Sequence, residues 1–165
     1  MVETGTSLVQ DGRRGERLEL RVPVTPTQLP AVRAMVGDLA MRMDYDLDAV
    51  EDLRLAVDEA CATLASVALA GSPLTVVFEV SREDLRIEAW VPTEAGVDVP
   101  RDGFGWAVLA TLVDDVAAGP SDQATVAAGN GSDSPVAGIA LVKKLRRYTA
   151  GDLLTEPGAD VSVAR

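Results

Sequence analysis

Apolar and polar residues alternate over residues 17–24, where Leu18, Leu20 and Val22 share one side. Alternation with a period of two predicts a strand with one buried face. The period then becomes helical, and Thr27 is the predicted cap because it leaves Pro30 in the first turn, where no intrahelical donor is needed. The apolar stripe of this first helix consists of Val32, Met35, Val36, Leu39 and Met43.

A second and longer helical pattern follows almost at once. Asp48 and Glu51 have the spacing of a capping box at its start. The Gly-Ser-Pro sequence of residues 71–73 is the predicted stop signal, which allows about five helical turns. The apolar stripe of this helix consists of Val50, Leu53, Val57, Ala60, Cys61, Leu64 and Ala68.

Four more strands and one more helix are predicted after residue 73. Residues 74–80 and 85–91 are apolar runs joined by the polar residues 81–84, which predicts an antiparallel hairpin. A loop with three breakers at residues 92–102 precedes a third helix, which we expect to continue through Val116 and to end at Gly119. Two further strands are predicted at residues 122–128 and 136–145.

The order of elements is therefore strand, helix, helix, strand, strand, helix, strand, strand. Helices and strands do not alternate as in a doubly wound sheet. We predict an α+β fold, a two-layer sandwich of a mixed, mostly antiparallel sheet covered on one face by about three helices. We assign one domain to residues 16–148 and predict disordered tails at residues 1–15 and 149–165, which show no periodicity.

Composition excludes several classes of function. The chain has no histidine, which excludes imidazole bases and histidine metal ligands. Its single cysteine, Cys61, excludes an internal disulfide and lies on an apolar stripe, where packing is the expected role. The apolar runs are too short for a membrane span, and residues 1–15 lack the apolar core of a signal peptide. The sequence predicts a cytoplasmic protein.

The formal net charge of −11 disfavours nucleic acid and anionic membranes as partners and suits a partner with a basic face. Residues 44–59 hold seven carboxylates and one base. They form either a solvated helix face or an acidic docking surface, for which Asp44, Asp46 and Asp48 are the candidate residues. Trp106 is either an apolar anchor for the same partner or a residue packed at the edge of the core.

Three sequence runs resemble the motifs of a known family. Residues 53–63, LRLAVDEACAT, resemble the N-box helix of the RsbW/SpoIIAB anti-sigma factors and serine kinases, and more closely their actinobacterial anti-sigma F members of the UsfX type. Residues 103–116, GFGWAVLATLVDDV, resemble the family's glycine-rich turn and following helix, and residues 139–145 resemble its closing strand. The resemblance implies a Bergerat (GHKL ATPase) fold, homodimers, sigma-factor binding, and Mg-ATP-dependent phosphorylation of an anti-anti-sigma (STAS-domain) partner on serine.

Transferred residue by residue, the resemblance gives Glu59 the place of the catalytic general base and Thr63 that of the asparagine that holds Mg²⁺. These two residues are four apart and share one helix face. A threonine hydroxyl is shorter than the amide it replaces. The alternative is that Glu59 is an ordinary solvated residue and that Thr63 packs at the helix edge.

The rest of the implied ATP site is partly retained. Gly103 and Gly105 stand at the phosphate turn, where backbone N–H groups at a helix start favour an anion. Gly96 stands at the last glycine of the adenine-binding box, but Pro92 replaces its aspartate. Six residues between Gly96 and Gly103 leave little length for an ATP lid.

We therefore expect an anti-sigma factor with little or no catalytic activity, in which ATP and Mg²⁺ bind weakly or not at all. Two alternatives stay open. One is an active serine kinase of an anti-anti-sigma protein, and the other is a GHKL-like binding module in a different partner-switching circuit.

Overall fold

The computed structural model describes residues 15–119 and 135–146, and within them the chain forms three helices and five strands in the predicted order. The predicted strand at 122–128 and nearly all of both predicted tails lie outside these residues. No helix in the described ranges is long and apolar enough to cross a membrane. The elements are β1 (Arg17–Pro23), α1 (Leu29–Arg42), α2 (Leu47–Val67), β2 (Pro73–Val80), β3 (Asp84–Pro92), α3 (Phe104–Leu112), β4 (Asp115–Gly119) and β5 (Val136–Lys144).

The strands form one sheet in the order β1-β2-β3-β5-β4, and every described pairing is antiparallel. Because side chains alternate between the two faces, the register decides which residues lie on the same face. One row across the sheet belongs to, or packs against, the main hydrophobic cluster that the helices cover, which confirms the predicted α+β sandwich. That row is Leu20, Val76, Ala89, Ile139 and Ala118.

The predicted helical stripes form the core. In α1 the stripe is buried or half-buried along its length, and in α2 every predicted position is buried except the half-buried Ala68. Cys61 lies in this core, as its position on the stripe predicts. Burial raises the pKa of the Cys61 thiol to about 12, because the interior disfavours the thiolate.

The predicted helix starts need correction at both α1 and α2. Gln28, not Thr27, occupies the cap position of α1 and makes no side-chain capping bond, although a proline does lie in the first turn as predicted. In α2 the cap is Asp46, whose carboxylate accepts a hydrogen bond from the Ala49 N–H at 2.8 Å. The predicted capping box at Asp48 was wrong, since the helix begins before it.

The predicted end of α3 was also wrong. The helix stops at Leu112, and Val113 is extended. The next N–H, that of Asp114, donates to the Val142 carbonyl at 2.9 Å, so the chain leaves the helix by pairing with β5. Val116 and Ala118 then pack against the core from β4. Sheet pairing therefore overrides a helical period that the sequence continues through Val116.

Two contacts join α1 to α2 on their solvent side. The guanidinium of Arg33 binds both carboxylate oxygens of Asp58. One helical turn further along α1, a Cβ on Gly37 would lie 2.7 Å from two guanidinium nitrogens of Arg54. Gly37 therefore provides the space in which Arg54 lies across α1, and Arg54 also binds Glu51 at 2.6 Å.

A second set of polar contacts joins α2, α3, β3 and β5. The Tyr45 hydroxyl donates to the Lys143 carbonyl at 2.5 Å and accepts from the Leu85 N–H at 3.1 Å. Burial raises the pKa of Tyr45 to about 12. The Lys143 ammonium donates to the Leu112 carbonyl at 2.6 Å and to Asp52 at 3.0 Å. Lys143 thereby holds the C-terminal end of α3 and the first half of α2 against β5.

The corner between α1 and α2 contains a residue in left-handed backbone conformation. Asp44 has φ 61°, and its N–H donates to the Met41 carbonyl while that of Tyr45 donates to the Ala40 carbonyl. This is a Schellman ending, and its left-handed position normally holds glycine. Asp44 also places a negative charge near the negative end of the α1 dipole.

We expect Asp44→Gly to raise the free energy of unfolding by roughly 0.5–1 kcal/mol, because it relieves the left-handed strain and removes the unfavourable charge. Ala34→Gly, at an exposed position inside α1, should lower it by about 1 kcal/mol. Urea denaturation of the two variants and the parent measures both effects. A loss of stability in Asp44→Gly would contradict this account of the corner.

Candidate functional site

Helix α2 places different functional side chains on its two flanks. Its core stripe faces the sheet. On one flank Asp58 and Arg54 meet α1. On the other flank Asp52 meets β5 and Glu59 meets the first turn of α3. Thr63 follows Glu59 by one turn, so it lies on the α3 flank as the spacing predicts. The rotation of α2 therefore decides which of its acids can take part in a site with α3.

Glu59 lies directly against the glycine turn. A Cβ built on Gly105 would be 2.0 Å from Glu59 Oε1 and 2.9 Å from its carboxyl carbon. Only glycine at position 105 allows the carboxylate to approach the first turn of α3 this closely. The structure thus brings together two predicted site residues from different motifs, Glu59 and Gly105.

The start of α3 is open to an anion. Gly103 occupies the cap position with an extended backbone and offers no side-chain acceptor to the first N–H groups of the helix. A Cβ at Gly103 would meet no atom within 4 Å, so there is free space in front of the turn. The helix dipole favours negative charge here, and the Glu59 carboxylate already lies beside it. A phosphate fits this end of the site but has to share it with Glu59.

Metal binding depends on oxygen ligands that Glu59 and Thr63 supply only in part. Within residues 15–119 and 135–146 no group of three acidic or cysteine side chains could hold a metal ion. A carboxylate and a hydroxyl give at most a few of the six oxygens that Mg²⁺ prefers, so phosphate and water have to supply the others. Thr63 is half-buried, and its carbonyl accepts from the Ser66 hydroxyl at 2.7 Å.

The loop that resembles the adenine-binding box is less suited to a nucleobase. The Pro92 carbonyl already accepts from the Leu69 N–H at 2.9 Å, and it is the only polar atom that Pro92 offers. Gly96 is exposed with φ 78°, in a turn closed by the Val97 N–H and the Glu94 carbonyl at 3.3 Å. The backbone turn is therefore present, whereas a side-chain acceptor at position 92 is not.

Sequence reasoning missed Thr93, the neighbour of Pro92. Its side chain is 1% exposed, and its hydroxyl makes no hydrogen bond among the described residues. Its N–H donates to the Pro135 carbonyl at 2.9 Å, which fixes the backbone. An alternation count continued past the end of β3 would have placed Thr93 on the helix side, with Val91.

The predicted acidic surface is narrower than the sequence indicates. Three of its seven carboxylates lie in ion pairs, namely Asp58 with Arg33, Glu51 with Arg54 and Asp52 with Lys143. The three predicted partner-binding residues, Asp44, Asp46 and Asp48, are exposed at the start of α2.

We call the three exposed acids Asp44, Asp46 and Asp48 the acidic corner. A cavity of about 280 Å³ adjoins it. One wall holds Asp46, Asp48 and Asp52, and the other holds the basic end of β5. The sequence shows both charge clusters but not that the fold places them opposite each other. The basic side chains of the second wall are Lys143, Lys144 and Arg146.

The exposed aromatic of α3 is Phe104, not Trp106. Trp106 is half-buried and packs against the main core, which leaves its predicted role as a partner anchor untested. Phe104 is 86% exposed. Phe104 lies about 140° around the helix from the buried Leu109, so the helical period of the sequence already indicates that Phe104 is exposed.

Comparison with known proteins supports the same fold and family. Residues 22–128 match the family model HATPase_c_2, the histidine kinase-like ATPase domain. The chain is 38% identical over 105 residues to the anti-sigma-F factor RsbW of Mycobacterium tuberculosis, across 63% of this chain and 62% of that protein. It is 25% identical over 126 residues to the serine-protein kinase RsbW of Bacillus cereus, across 62% of this chain and 77% of that protein.

A solved structure supports the fold alone, because its sequence identity to this chain is low. It contains the RsbU and RsbW domains of Rv1364c from M. tuberculosis and superposes with a TM-score of 0.58 at 14% identity. The superposition covers 81% of this chain and 34% of that one. The chain thus spans less than two thirds of the mycobacterial relative and about a third of the solved structure.

We predict an energetic coupling between Gly105 and Glu59. In the parent, Gly105→Ala gains helix propensity but has to displace the carboxylate, so stability should stay level or fall. In a Glu59→Ala background the same change should stabilise by about 0.5 kcal/mol, which gives a coupling of about 1 kcal/mol. Urea denaturation of the four proteins measures this. Gly103→Ala is the matched control and should show no coupling, whereas strict additivity at Gly105 would refute the contact.

Proposed function

The chain belongs to the histidine kinase-like ATPase domain family, and we propose that it is an anti-sigma factor acting in the cytoplasm. In this proposal it sequesters an alternative sigma factor and is released by an anti-anti-sigma partner with a STAS domain. The observation that carries the proposal is the 38% identity to a protein named as an anti-sigma-F factor. The exposed acids at the start of α2 support it, because they suit a basic partner.

The proposal includes a degenerate ATP site. The glycine turn would hold phosphate, with Glu59 and Thr63 as the nearest oxygen ligands on α2. At the other end of the site, Pro92 offers an adenine amino group no carboxylate. The Pro92 carbonyl already accepts a hydrogen bond from the Leu69 N–H. An unpaired buried amino group costs roughly 1–3 kcal/mol of binding free energy. When bound, Mg-ATP would supply a phosphoryl group, and the residues present would orient its phosphates better than its base.

Two alternatives remain. Glu59 beside the glycine turn favours the first, an active serine kinase in which Glu59 acts as general base. The second is a GHKL-like binding module in another partner-switching circuit. Affinity purification of the full chain from its native host, followed by mass spectrometry, tests the main proposal. Recovery of an alternative sigma factor supports it, and recovery of STAS proteins without any sigma factor would refute it.

For nucleotide, we expect ATP to bind more weakly than micromolar, with or without Mg²⁺. Pro92→Asp combined with Thr63→Asn should strengthen binding at least about tenfold, because it restores the base acceptor and the amide ligand. Isothermal titration calorimetry measures both proteins. Micromolar affinity in the parent, together with phosphate transfer to a partner serine, would establish the kinase alternative instead.

The acidic corner should control how fast the sigma factor binds. In this proposal Asp44 and Asp48 attract and cover basic residues of the sigma factor. Salt screens this attraction, so the association rate should fall as the salt concentration rises. Asp44→Lys with Asp48→Lys should lower that rate by about an order of magnitude in stopped-flow measurements. Asp46 stays unchanged because it caps α2, and its loss would cost about 1 kcal/mol of stability.

The matched control for this experiment reverses two acids elsewhere, Glu94 and Asp98, so the net charge changes equally. Both residues are exposed in the loop after β3, and the last residue of β3 bonds to Leu69, beyond the opposite end of α2. If both double reversals slow association equally, net charge is responsible and the acidic corner is a solvated face.

We also propose a homodimer. The family resemblance motivates it, and β1 is an edge strand of the sheet that the described residues form. The charges of Arg17, Glu19 and Arg21 on this strand oppose uncontrolled edge pairing. Sedimentation at tens of micromolar should give twice the chain mass of 17.3 kDa. A single species at the chain mass would exclude the dimer under those conditions.

A further inference from the structure

Helix α3 has an unusual composition for a surface helix. Its nine residues, FGWAVLATL, include no charged side chain, and Leu109 is the only one of them that is buried. By contrast, the solvent sides of the other helices carry charges such as Asp38 on α1 and Glu51 on α2. An uncharged helix that buries one residue leaves apolar surface in contact with water. The exposed residues of α3 are Phe104, Ala107, Ala110 and Thr111.

Two large apolar side chains are exposed next to the contact between α3 and α2. Phe104, 86% exposed, precedes Gly105, and Leu55, 56% exposed, lies one turn before Glu59 on α2. Along its own helix, each of these residues lies within one turn of the place where Glu59 touches Gly105. Exposed apolar surface on a small protein commonly marks an interaction site.

Helices α2 and α3 pack against each other, and the two sides of the groove between them differ in charge. The α2 side holds the carboxylates of Asp48, Asp52 and Glu59, of which Asp52 already pairs with Lys143 at 3.0 Å, whereas α3 contributes no charge. Thr111 of α3 lines the cavity that Asp48 and Asp52 also line, where the basic end of β5 forms the other wall. Asp48 and Glu59 therefore give the groove its acidic side, and α3 gives it its apolar side.

We propose that this α2–α3 groove holds an amphipathic helix of the sigma factor, with apolar residues against Phe104 and Leu55 and basic residues toward the α2 carboxylates. This inference rests on the proposed function and names the surface through which the partner is held. Helix binding in a groove uses an apolar face with anchors one or two turns apart. The acidic corner governs the approach of the partner, and the groove governs its retention.

Charge favours a basic helix of the partner over two other possible occupants of the groove, a second copy of the chain and the chain's own C-terminal segment. A second copy of the chain brings another net charge of −11 to the acidic side. Residues 147–165 carry Asp152, Glu156 and Asp160 against Arg147 and Arg165, so they bring no net positive charge to the same side. A basic partner helix is the occupant that complements both sides.

The first test uses the full chain and the purified sigma factor recovered by affinity purification. Phe104→Ser and Leu55→Ser should each weaken the equilibrium affinity at least about tenfold, mainly through faster dissociation. Met41→Ser is the matched control, because Met41 is 53% exposed but lies on α1. It should change the affinity less than about twofold, and all variants should keep the parent's melting temperature because these side chains are exposed. Equal affinity losses in all three variants, or none, would overturn the groove assignment while leaving sigma-factor binding intact.

The second test identifies what lies on the groove. A benzoylphenylalanine in place of Phe104 forms a covalent bond with its neighbour under ultraviolet light. A cross-link to the sigma factor, mapped by mass spectrometry to a basic amphipathic helix, is the expected result. A cross-link only to a second copy, only to residues 147–165 of the same chain, or to an acidic segment of the sigma factor would overturn the proposal. If no sigma factor is recovered at all, the proposed function fails before this test begins.

Discussion

The packing of α2 is the constraint on which the rest of the structure depends. Its wide apolar stripe fixes its rotation against the sheet, and that rotation sends Asp58 toward α1 and Glu59 toward α3. A helix rotated by one residue position would turn these neighbours by about 100° and exchange their environments. Burial of the apolar stripe of α2 thus places Glu59 against Gly105, without any polar contact among the described residues that orients Glu59 separately.

Much of the fold follows from periodicity alone, because burial repeats with the geometry of each element. The stripes of α1 and α2 and the alternation of β1 predicted the core, and the motif around residues 53–63 predicted that Glu59 and Thr63 share a flank. The end of α3 could not be predicted, since Val116 fits a helical period equally well and only pairing with β5 decides against it. The cap of α2 was missed for a similar reason, because Asp46 and Asp48 are both good caps.

The electrostatic features were harder to predict than the core. Seven acids in residues 44–59 suggest one acidic surface, yet Arg33, Arg54 and Lys143 come from three different elements and pair with three of those acids. Two of these pairs join residues distant in sequence, which periodicity does not encode, whereas Glu51 and Arg54 are three residues apart on α2. The two ends of the candidate nucleotide site also differ in how much the sequence alone reveals. The glycine turn can be read from the sequence, whereas the bonded state of the Pro92 carbonyl becomes visible only when Leu69 is placed beside it.

The burial of Cys61 has a consequence for how the chain responds to oxidants. It is the single cysteine of the sequence, it is buried in the core, and a pKa of about 12 leaves almost no thiolate at neutral pH. Peroxides and disulfides react with thiolates, so burial and the raised pKa both protect this thiol in the folded state. Cys61 therefore serves the packing of the core, and an oxidant reaches it only when the core around it opens.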